Sequence, residues 1–295
     1  MDVLSYPCTV STPTAIALGR FDGIHKAHKK VITAAANAEG LTSGVFTFCD
    51  NPGKSNHALL STEKEKQALI EACGIDILVN ATFLSVKEMT AEEFVRDVLK
   101  KDLNAKSIFC GYNYHFGKGA QADVTTLSAL CSKFGITLNC IDELSLEAST
   151  VSSTAIRQAL SDGNLSVANK LLGREYSLCG KIIHGNAIGR TIDTPTLNID
   201  VDKDKLLPAF GVYATLAHIG ESTYKSVTNI GLKPTVGSDN PTVETFLLDT
   251  SGNFYDQDVT IDLVAFLRKE VKFNSLEGLK KQISKDIENA NNILK

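Results

Sequence analysis

The chain has 295 residues and a formal net charge of −4, with 43% apolar and 22% charged residues. That length suits one large or two ordinary domains of soluble globular composition. No run approaches the roughly 18 apolar residues of a membrane span, and the lack of a long basic block argues against nucleic acid as a partner.

The opening MDVLSYPCTVSTPT has neither the basic segment nor the apolar stretch of a secretory signal. Of the seven cysteines none forms a C-x-x-C pair, and several lie inside apolar runs. They are read as small buried residues in a reducing compartment, which points to the cytoplasm.

Between residue 13 and about residue 142, short apolar runs alternate with helical patterns. TAIAL (14–18), GVFTF (44–48), IDILVNA (75–81), SIFCGY (107–112) and ITLNCI (136–141) are the expected strands. HKAHKKVITAAANA, TEKEKQALIEACG, TAEEFVRDVLKKDL and DVTTLSALCSKFG are the expected helices between them. Thr62 precedes Glu65, and Thr90 precedes Glu93, at the spacing of a capping box, in which hydroxyl and carboxylate each take a free backbone N–H. Asp123 is placed to accept from the first amides of its helix. Gly40, Gly74 and Gly135 suit the left-handed residue that closes a helix. Such alternation implies a parallel sheet covered on both faces.

Residues 152–173 read as two short helices broken at Asp162-Gly163. After about residue 174 the pieces become strand-like: YSLCGKIIHG, TPTLNIDV, GVYATLAHI, YKSVTNIG, TVETFLLDT and DVTIDLVAFLR. In the last segment Leu276, Leu279, Ile283, Ile287 and Leu294 recur at helical spacing, so one apolar face can cover a sheet or barrel. The second half is therefore expected to be an antiparallel β-domain with a terminal helix. His184 and His218 stand apart from any Cys/His cluster and read as structural.

The segment with the strongest chemical content is GRFDGIHKAHKK (19–30), which follows the first expected strand. A strand, a glycine loop and a helix start form the place where a parallel sheet offers backbone amides to an anion. His25 and His28 share one face of that first turn. Two imidazoles there can donate to phosphate oxygens that gain charge during attack on phosphorus. The plainer reading, in which one histidine caps or packs and the other is solvated, stays open. The pattern is neither a Walker A loop nor G-x-G-x-x-G.

GRFDGIHKAH (19–28) resembles the Gly-x-Phe-Asp-Gly-x-His-x-Gly-His signature of nucleotidyltransferases, in particular the adenylyltransferase half of bacterial bifunctional riboflavin kinase/FAD synthetases. VSSTAIR (151–157) resembles the second motif of that superfamily, GYNYHFGKG (111–119) its Gly-x-Asn/Asp-Phe-x-Phe-Gly segment, and Thr47, Phe48 and Pro52 its Thr-Phe-x-x-x-Pro turn. GKIIHGNAIGRTIDTPTLN (180–198), GVYA (211–214), NIGLKPT (229–235), ETFLLD (244–249) and RKEVKFNSLEGLKKQI (268–283) resemble, in order, the motifs of the kinase half.

The resemblance implies a Rossmann-like, parallel-sheet nucleotidyltransferase domain over 1–173. It implies an antiparallel β-barrel riboflavin kinase domain with a C-terminal helix over 174–295. It further implies ATP, riboflavin and FMN as substrates, with Mg²⁺ as cofactor. In the first domain, Gly19, Phe21, Asp22 and Gly23 form the nucleotide loop, and His25 and His28 meet the ATP phosphates. Ser153 and Thr154 open a helix whose amides, with the Arg157 fork, suit the departing phosphates. Asn113 helps hold flavin or nucleotide. In the second domain, Glu244 is the general base for the ribityl hydroxyl. Thr196 and Asn198 offer two oxygens on one strand face, as a hard cation requires. Gly185, Gly189 and Arg190 belong to a loop over the nucleotide. Plainer readings remain beside these: an ordinary N-cap for SSTAIR, a turn residue for Asn113, a polar sheet face for Thr196, Asn198 and Glu244.

Three departures from the family pattern stand out. Ala27 replaces the glycine between the histidines, Asp193-Thr194 stands where Gly-Phe is usual, and Tyr114 replaces a phenylalanine. Two other functions are carried forward: a chain with only its kinase half active, and a non-catalytic flavin- or nucleotide-binding regulator. The oligomeric state is left open.

Overall fold

The capping signals are realised in the structure, a computed structural model that describes residues 1–50, 58–146, 149–184, 196–232, 241–250, 252–271, 273 and 275–294. Thr62 Oγ1 accepts from the Glu65 N–H at 3.3 Å while Glu65 Oε2 accepts from the Thr62 N–H at 2.8 Å. Thr90 and Glu93 repeat the exchange at 3.2 and 2.8 Å, and Asp123 Oδ1 accepts from the Thr126 N–H at 2.9 Å. These open α2 (Glu63–Glu71), α4 (Ala91–Glu93) and α5 (Val124–Phe134). Gly40, Gly74 and Gly135 all adopt positive φ, but of the three only Gly135 is itself a helix cap; the helices before Gly40 and Gly74 end sooner, on Asn37 and Ala72. One regular helix was expected over TAEEFVRDVLKKDL, but α4 runs into a π-helical stretch, Phe94–Asp102, which buries Phe94, Val95, Val98 and Leu99.

The chain divides into two compact units, Met1–Ser153 and Thr154–Lys295. The first holds β1 (Asp2–Ser5), β2 (Thr14–Leu18), β3 (Thr42–Phe48), β4 (Ile77–Ala81), β5 (Ala105–Gly111) and β6 (Thr137–Ile141). They form one sheet in the order β1-β4-β3-β2-β5-β6, and every pairing in it is parallel. β1 has no counterpart among the expected strands. It is short and mostly exposed, so its sequence carries no apolar alternation.

Side-chain alternation splits the core into two layers. Ala15, Ala17, Val45 and Leu78 pack on one face with Val31, Ile32 and Ala35 of α1 (Lys26–Ala36) and Ile70 of α2. Ile16, Leu18, Phe46 and Val79 pack on the other with the π-helical stretch and α5. Each fully buried large side chain contributes about 1.5–3 kcal/mol relative to exposure. Parallel strands covered on both faces leave their carboxyl ends as the available rim.

The second unit begins with the two expected short helices, α6 (Ser153–Ser161) and α7 (Leu165–Leu172). Six antiparallel strands then close a barrel: β9 (Tyr176–Ile183), β10 (Leu197–Val201), β11 (Gly211–Ile219), β12 (Ser222–Leu232), β13 (Pro241–Leu247) and β14 (Asp258–Lys269), in the order β10-β13-β12-β11-β14-β9. The lumen is filled rather than open. Tyr176, Leu178, Tyr213, Ile230, Ile261 and Leu263 are buried in it. A row of buried hydroxyls joins neighbouring strands: Ser226 to Thr215 at 2.7 Å, Thr215 to Thr228 at 2.8 Å and Thr228 to Thr245 at 2.9 Å. Outside, α8 (Leu276–Ile293) lays Ile287, Ala290 and the following Leu294 over Ala214, Phe246 and Leu248. The Arg268 guanidinium fixes that helix to β14, donating to both carboxylate oxygens of Asp286 at 2.8–3.0 Å.

Candidate functional site

In the first sheet, β2 continues to β3 on one side, while β5 lies on its other side. That reversal of winding is a topological switch point, and loops leaving the carboxyl ends of β2 and β5 border the crevice it makes. The loop after β2 carries Gly19, Phe21, Asp22, Gly23 and His25; the loop after β5 carries Asn113. Sequence order alone does not make these loops neighbours, since that depends on strand order.

The β2 loop is tightly built. Phe21 is buried, and a side chain at Gly19 would strike its ring at 2.8 Å. Gly23 has φ 85°, a conformation glycine adopts without strain, whereas Phe21 (φ 50°) and Ile24 (φ 39°) adopt positive φ at a cost of about 1–3 kcal/mol each. The surroundings compensate. Asp22 Oδ1 accepts from the N–H groups of Leu60 and Ser61 at 2.9 and 3.1 Å, and the Asp22 carbonyl accepts from Ser153 Oγ at 2.9 Å. Thr47 Oγ1 donates to the Arg20 carbonyl at 3.1 Å. Asp22 thus positions the loop through its carboxylate, and Ser153 reaches the loop through its hydroxyl.

His25 is the N-cap of α1: its Nδ1 accepts from the His28 N–H at 3.2 Å. An acceptor Nδ1 leaves the proton on Nε2 in the neutral ring. The two imidazoles stack with centroids 3.6 Å apart, and Phe21 meets His28 edge-on at 5.3 Å. Burial, then the neighbouring His25, hold the His28 pKa well below that of an ordinary histidine. Its Nδ1 is buried with no hydrogen-bond partner among the described residues. The capping reading and the phosphate-donor reading are therefore compatible. His25 caps with one nitrogen and keeps the other as a donor, and His28 is neutral at physiological pH.

A small pocket opens beside this loop, lined by Arg20, Asp22, Phe48, Asp50, Glu63 and Lys66 among others. Lys66 is buried; its Nζ donates to the Phe48 carbonyl at 2.5 Å and pairs with Glu63 Oε2 at 2.9 Å. Asn80 Nδ2 donates to Glu63 Oε1 at 2.8 Å. Nothing in the sequence marks Ser61, Glu63, Lys66 or Asn80 as site residues. The signal that Lys66 carries, a lysine on the apolar side of α2, is one the helical pattern hides.

Asn113 is exposed in the turn after β5, where the Tyr114 N–H returns to the Gly111 carbonyl at 3.0 Å. Tyr114 stacks on Phe116, which touches Phe94, which in turn meets Phe46; Phe46 meets Phe48. These rings belong to the core layer on the face of the sheet that the π-helical stretch covers. Thr154 and Arg157 stand near the start of α6, in the second compact unit.

In the barrel, Asn198 of β10 lies directly across from Glu244 of β13, and Glu244 lies directly across from Asn229 of β12. Flanking Val243 and Thr245 face the lumen, so this row faces outward. Thr196 immediately precedes β10. Asn229 Nδ2 donates to Glu270 Oε1 at 3.4 Å. Asn229 lies in NIGLKPT and Glu270 in RKEVKFNSLEGLKKQI; the barrel register is what sets Asn229 beside Glu244. Gly185, Gly189, Arg190 and the Asp193-Thr194 departure lie outside the described residues. His218 bridges strands as a structural histidine, meeting Thr223 Oγ1 and Asp262 Oδ2 at 2.9 Å each, and His184 stacks on Tyr255 at 3.7 Å. Among the described residues no cluster of three or more His, Cys, Asp or Glu side chains forms a metal centre.

A doubly wound α/β unit whose first crossover helix is capped by a histidine, followed by a closed barrel with a carboxylate on its outer wall, is the architecture of a two-domain transferase. Residues 9–155 match the FAD synthetase family and residues 172–294 the riboflavin kinase family. Proteins described as bifunctional riboflavin kinase/FMN adenylyltransferases are similar over nearly the whole chain. The one from Haemophilus influenzae is 34% identical, covering 94% of this chain and 92% of its own. Those from Listeria monocytogenes and Bacillus subtilis are each 33% identical, covering 96% and 94% of this chain and 94% and 91% of theirs. The chain belongs to the bifunctional riboflavin kinase/FMN adenylyltransferase family. A crystal structure described as a macrolide-efflux protein from Streptococcus pneumoniae shares the fold at a TM-score of 0.91 and 28% identity, covering 99% of both chains. Its described activity has no counterpart in the family matches, and among the described residues no helix is long and apolar enough to cross a membrane.

Proposed function

We propose that this chain makes FAD from riboflavin in two ATP-dependent steps, the first in the kinase domain (174–295) and the second in the adenylyltransferase domain (1–173). The observation that carries the reading is that two family matches, in order, fall on two separately folded units.

In the kinase step the terminal ribityl hydroxyl gives its proton to Glu244 as its oxygen attacks the γ-phosphorus of ATP, releasing ADP. Glu244 suits this role because it is a half-exposed carboxylate in the centre of a polar row. Mg²⁺ fits Asn198 and Thr196, which offer neutral oxygens, so that phosphate oxygens complete its shell. When bound, the cation neutralises phosphate charge. Gly185, Gly189 and Arg190 are assigned to the nucleotide by resemblance.

In the adenylyl step an FMN phosphate oxygen attacks the α-phosphorus of ATP, and the bond to the β-phosphate breaks to release pyrophosphate. Catalysis is positioning and charge stabilisation. His25 and His28 donate to the phosphate oxygens from α1, while Gly19, Phe21, Asp22 and Gly23 hold the loop in shape. Ser153, Thr154 and Arg157 are assigned to the departing pyrophosphate by the resemblance of their segment, and Asn113 to the flavin. The substrates are small molecules, ATP among them, and all seven cysteines are free. Both features favour a cytoplasmic enzyme.

Purified chain given riboflavin, ATP and magnesium is expected to yield FMN and then FAD on chromatography; neither product appearing would refute the proposal. A second reading, kinase activity alone, is favoured by Ala27 in the first turn of α1. It predicts FMN accumulating without FAD.

A further inference from the structure

The barrel wall carries more polar machinery than Glu244 and its proposed metal ligands require. Asn198, Glu244 and Asn229 occupy one register line across three adjacent strands. Neighbouring strands lie about 4.7–4.9 Å apart, so the three side chains form an evenly spaced outward row. Glu244 is its centre. Asn198 lies on the side that the proposed reaction gives to the phosphates. Asn229 lies on the opposite side, away from them.

Asn229 is not left to choose its own rotamer. Its Nδ2 donates to Glu270 Oε1 at 3.4 Å. The Glu270 carboxylate is seated in turn on the bare backbone of Gly231, two residues along the same strand face, where a Cβ would overlap Oε1. Glu270 follows the end of β14, which pairs with β11, while Asn229 sits on β12. The contact therefore joins the exit of β14 to the polar row. With Nδ2 turned toward Glu270, the amide oxygen Oδ1 is presented as an acceptor on the same face as Glu244. An amide acceptor one strand from the base is matched to a second hydroxyl of the substrate. A polyol chain whose terminal hydroxyl meets Glu244 brings an inner hydroxyl within reach of the next strand.

We infer that Asn229, held by Glu270, is a specificity-determining residue of the kinase site that accepts a hydrogen bond from an inner hydroxyl of the ribityl chain. The inference rests on the kinase reading above. Glu270 acts through Asn229 and is a positioning residue.

The test compares the parent chain with Asn229→Leu, which keeps the volume and removes the amide, and with Glu270→Gln, which leaves the fold of β12 untouched. Steady-state kinase kinetics are measured with riboflavin and with a flavin lacking a single inner ribityl hydroxyl. Flavin affinity is measured separately by fluorescence quenching. Loss of one neutral hydrogen bond is expected to raise the riboflavin KM and dissociation constant of Asn229→Leu up to about tenfold. KM for ATP should stay unchanged. Parent enzyme should disfavour the deoxy flavin for at least one hydroxyl position, and Asn229→Leu should lose that discrimination. Glu270→Gln should show a smaller rise in riboflavin KM. Equal discrimination in parent and variants, with FMN still formed, overturns the inference and leaves the kinase reading standing. A parent chain that forms no FMN overturns both. A fall in kcat alone, with riboflavin and deoxy-flavin affinities unchanged, marks a merely structural role and also overturns the inference.

Discussion

His25 caps the helix on which His28 stands: Nδ1 of the first accepts the backbone N–H of the second at 3.2 Å, and their rings stack at 3.6 Å. A change at either residue disturbs the other. His28→Ala removes an imidazole without touching the cap, so it is the cleaner probe. It is expected to lower FMN-to-FAD conversion by about 10²–10³, the cost of one preorganised donor, and to leave FMN formation intact. Glu244→Ala should do the reverse. Chromatography of the two products from each variant checks both, and loss of both activities in one folded variant would contradict the assignment of two sites.

The depressed pKa of His28 makes a stability prediction with a definite sign. Below the unfolded-state histidine pKa of about 6.5, the unfolded chain takes up a proton that the folded imidazole refuses. The unfolded state then binds more protons, so stability rises with pH up to about 6.5 and levels off above it. One proton limits the slope to about 1.4 kcal/mol per pH unit. Tm measured from pH 5 to 7.5 should show this rise in the parent and a shallower one in His28→Gln.

Ala27 occupies the first turn of α1, between the two histidines. Glycine there would open space beside the loop at a helix-propensity cost of up to about 1 kcal/mol. Ala27→Gly is expected to raise the rate of FAD formation, lower Tm slightly and leave kinase activity unchanged. If the chain forms FMN alone, this variant should restore FAD.

The Arg268–Asp286 pair ties α8 to the barrel from a buried position: Asp286 is 3% exposed and also accepts from Gln282 Nε2 at 2.8 Å. Asp286→Ala would strand the guanidinium, at a cost of roughly 3–5 kcal/mol. Urea unfolding of the full chain should show an earlier transition of the barrel, with FMN formation lost at the lower denaturant concentration.

What the sequence disclosed and what it hid divide along a physical line. Local hydrogen bonding was legible: the Thr62–Glu65 and Thr90–Glu93 boxes, the Asp123 cap and the glycine-led stops depend on residues a few positions apart. The glycine turn between β2 and α1 was legible for the same reason. Non-local pairing was not. β1 joins the sheet beside β4, some 75 residues later, with little buried surface to mark it. Asn229 becomes a neighbour of Glu244 only through the register of a closed barrel, and Glu270 meets Asn229 from the far end of β14. Lys66 lies inside a helix rich in charged residues, and only the tertiary structure shows its ammonium drawn in by the Phe48 carbonyl.

The hydroxyl ladder through Thr215, Thr228 and Thr245 has a bearing on how the barrel closes correctly. If β13 paired one position out of step, every side chain on it would change face. Thr245 would leave its partners, and the Glu244 carboxylate would be driven out of water into the packed interior. Misclosure is therefore penalised twice, by lost hydroxyl bonds and by desolvation of a carboxylate, and the residue proposed to take the proton from the substrate also discriminates against the wrong fold.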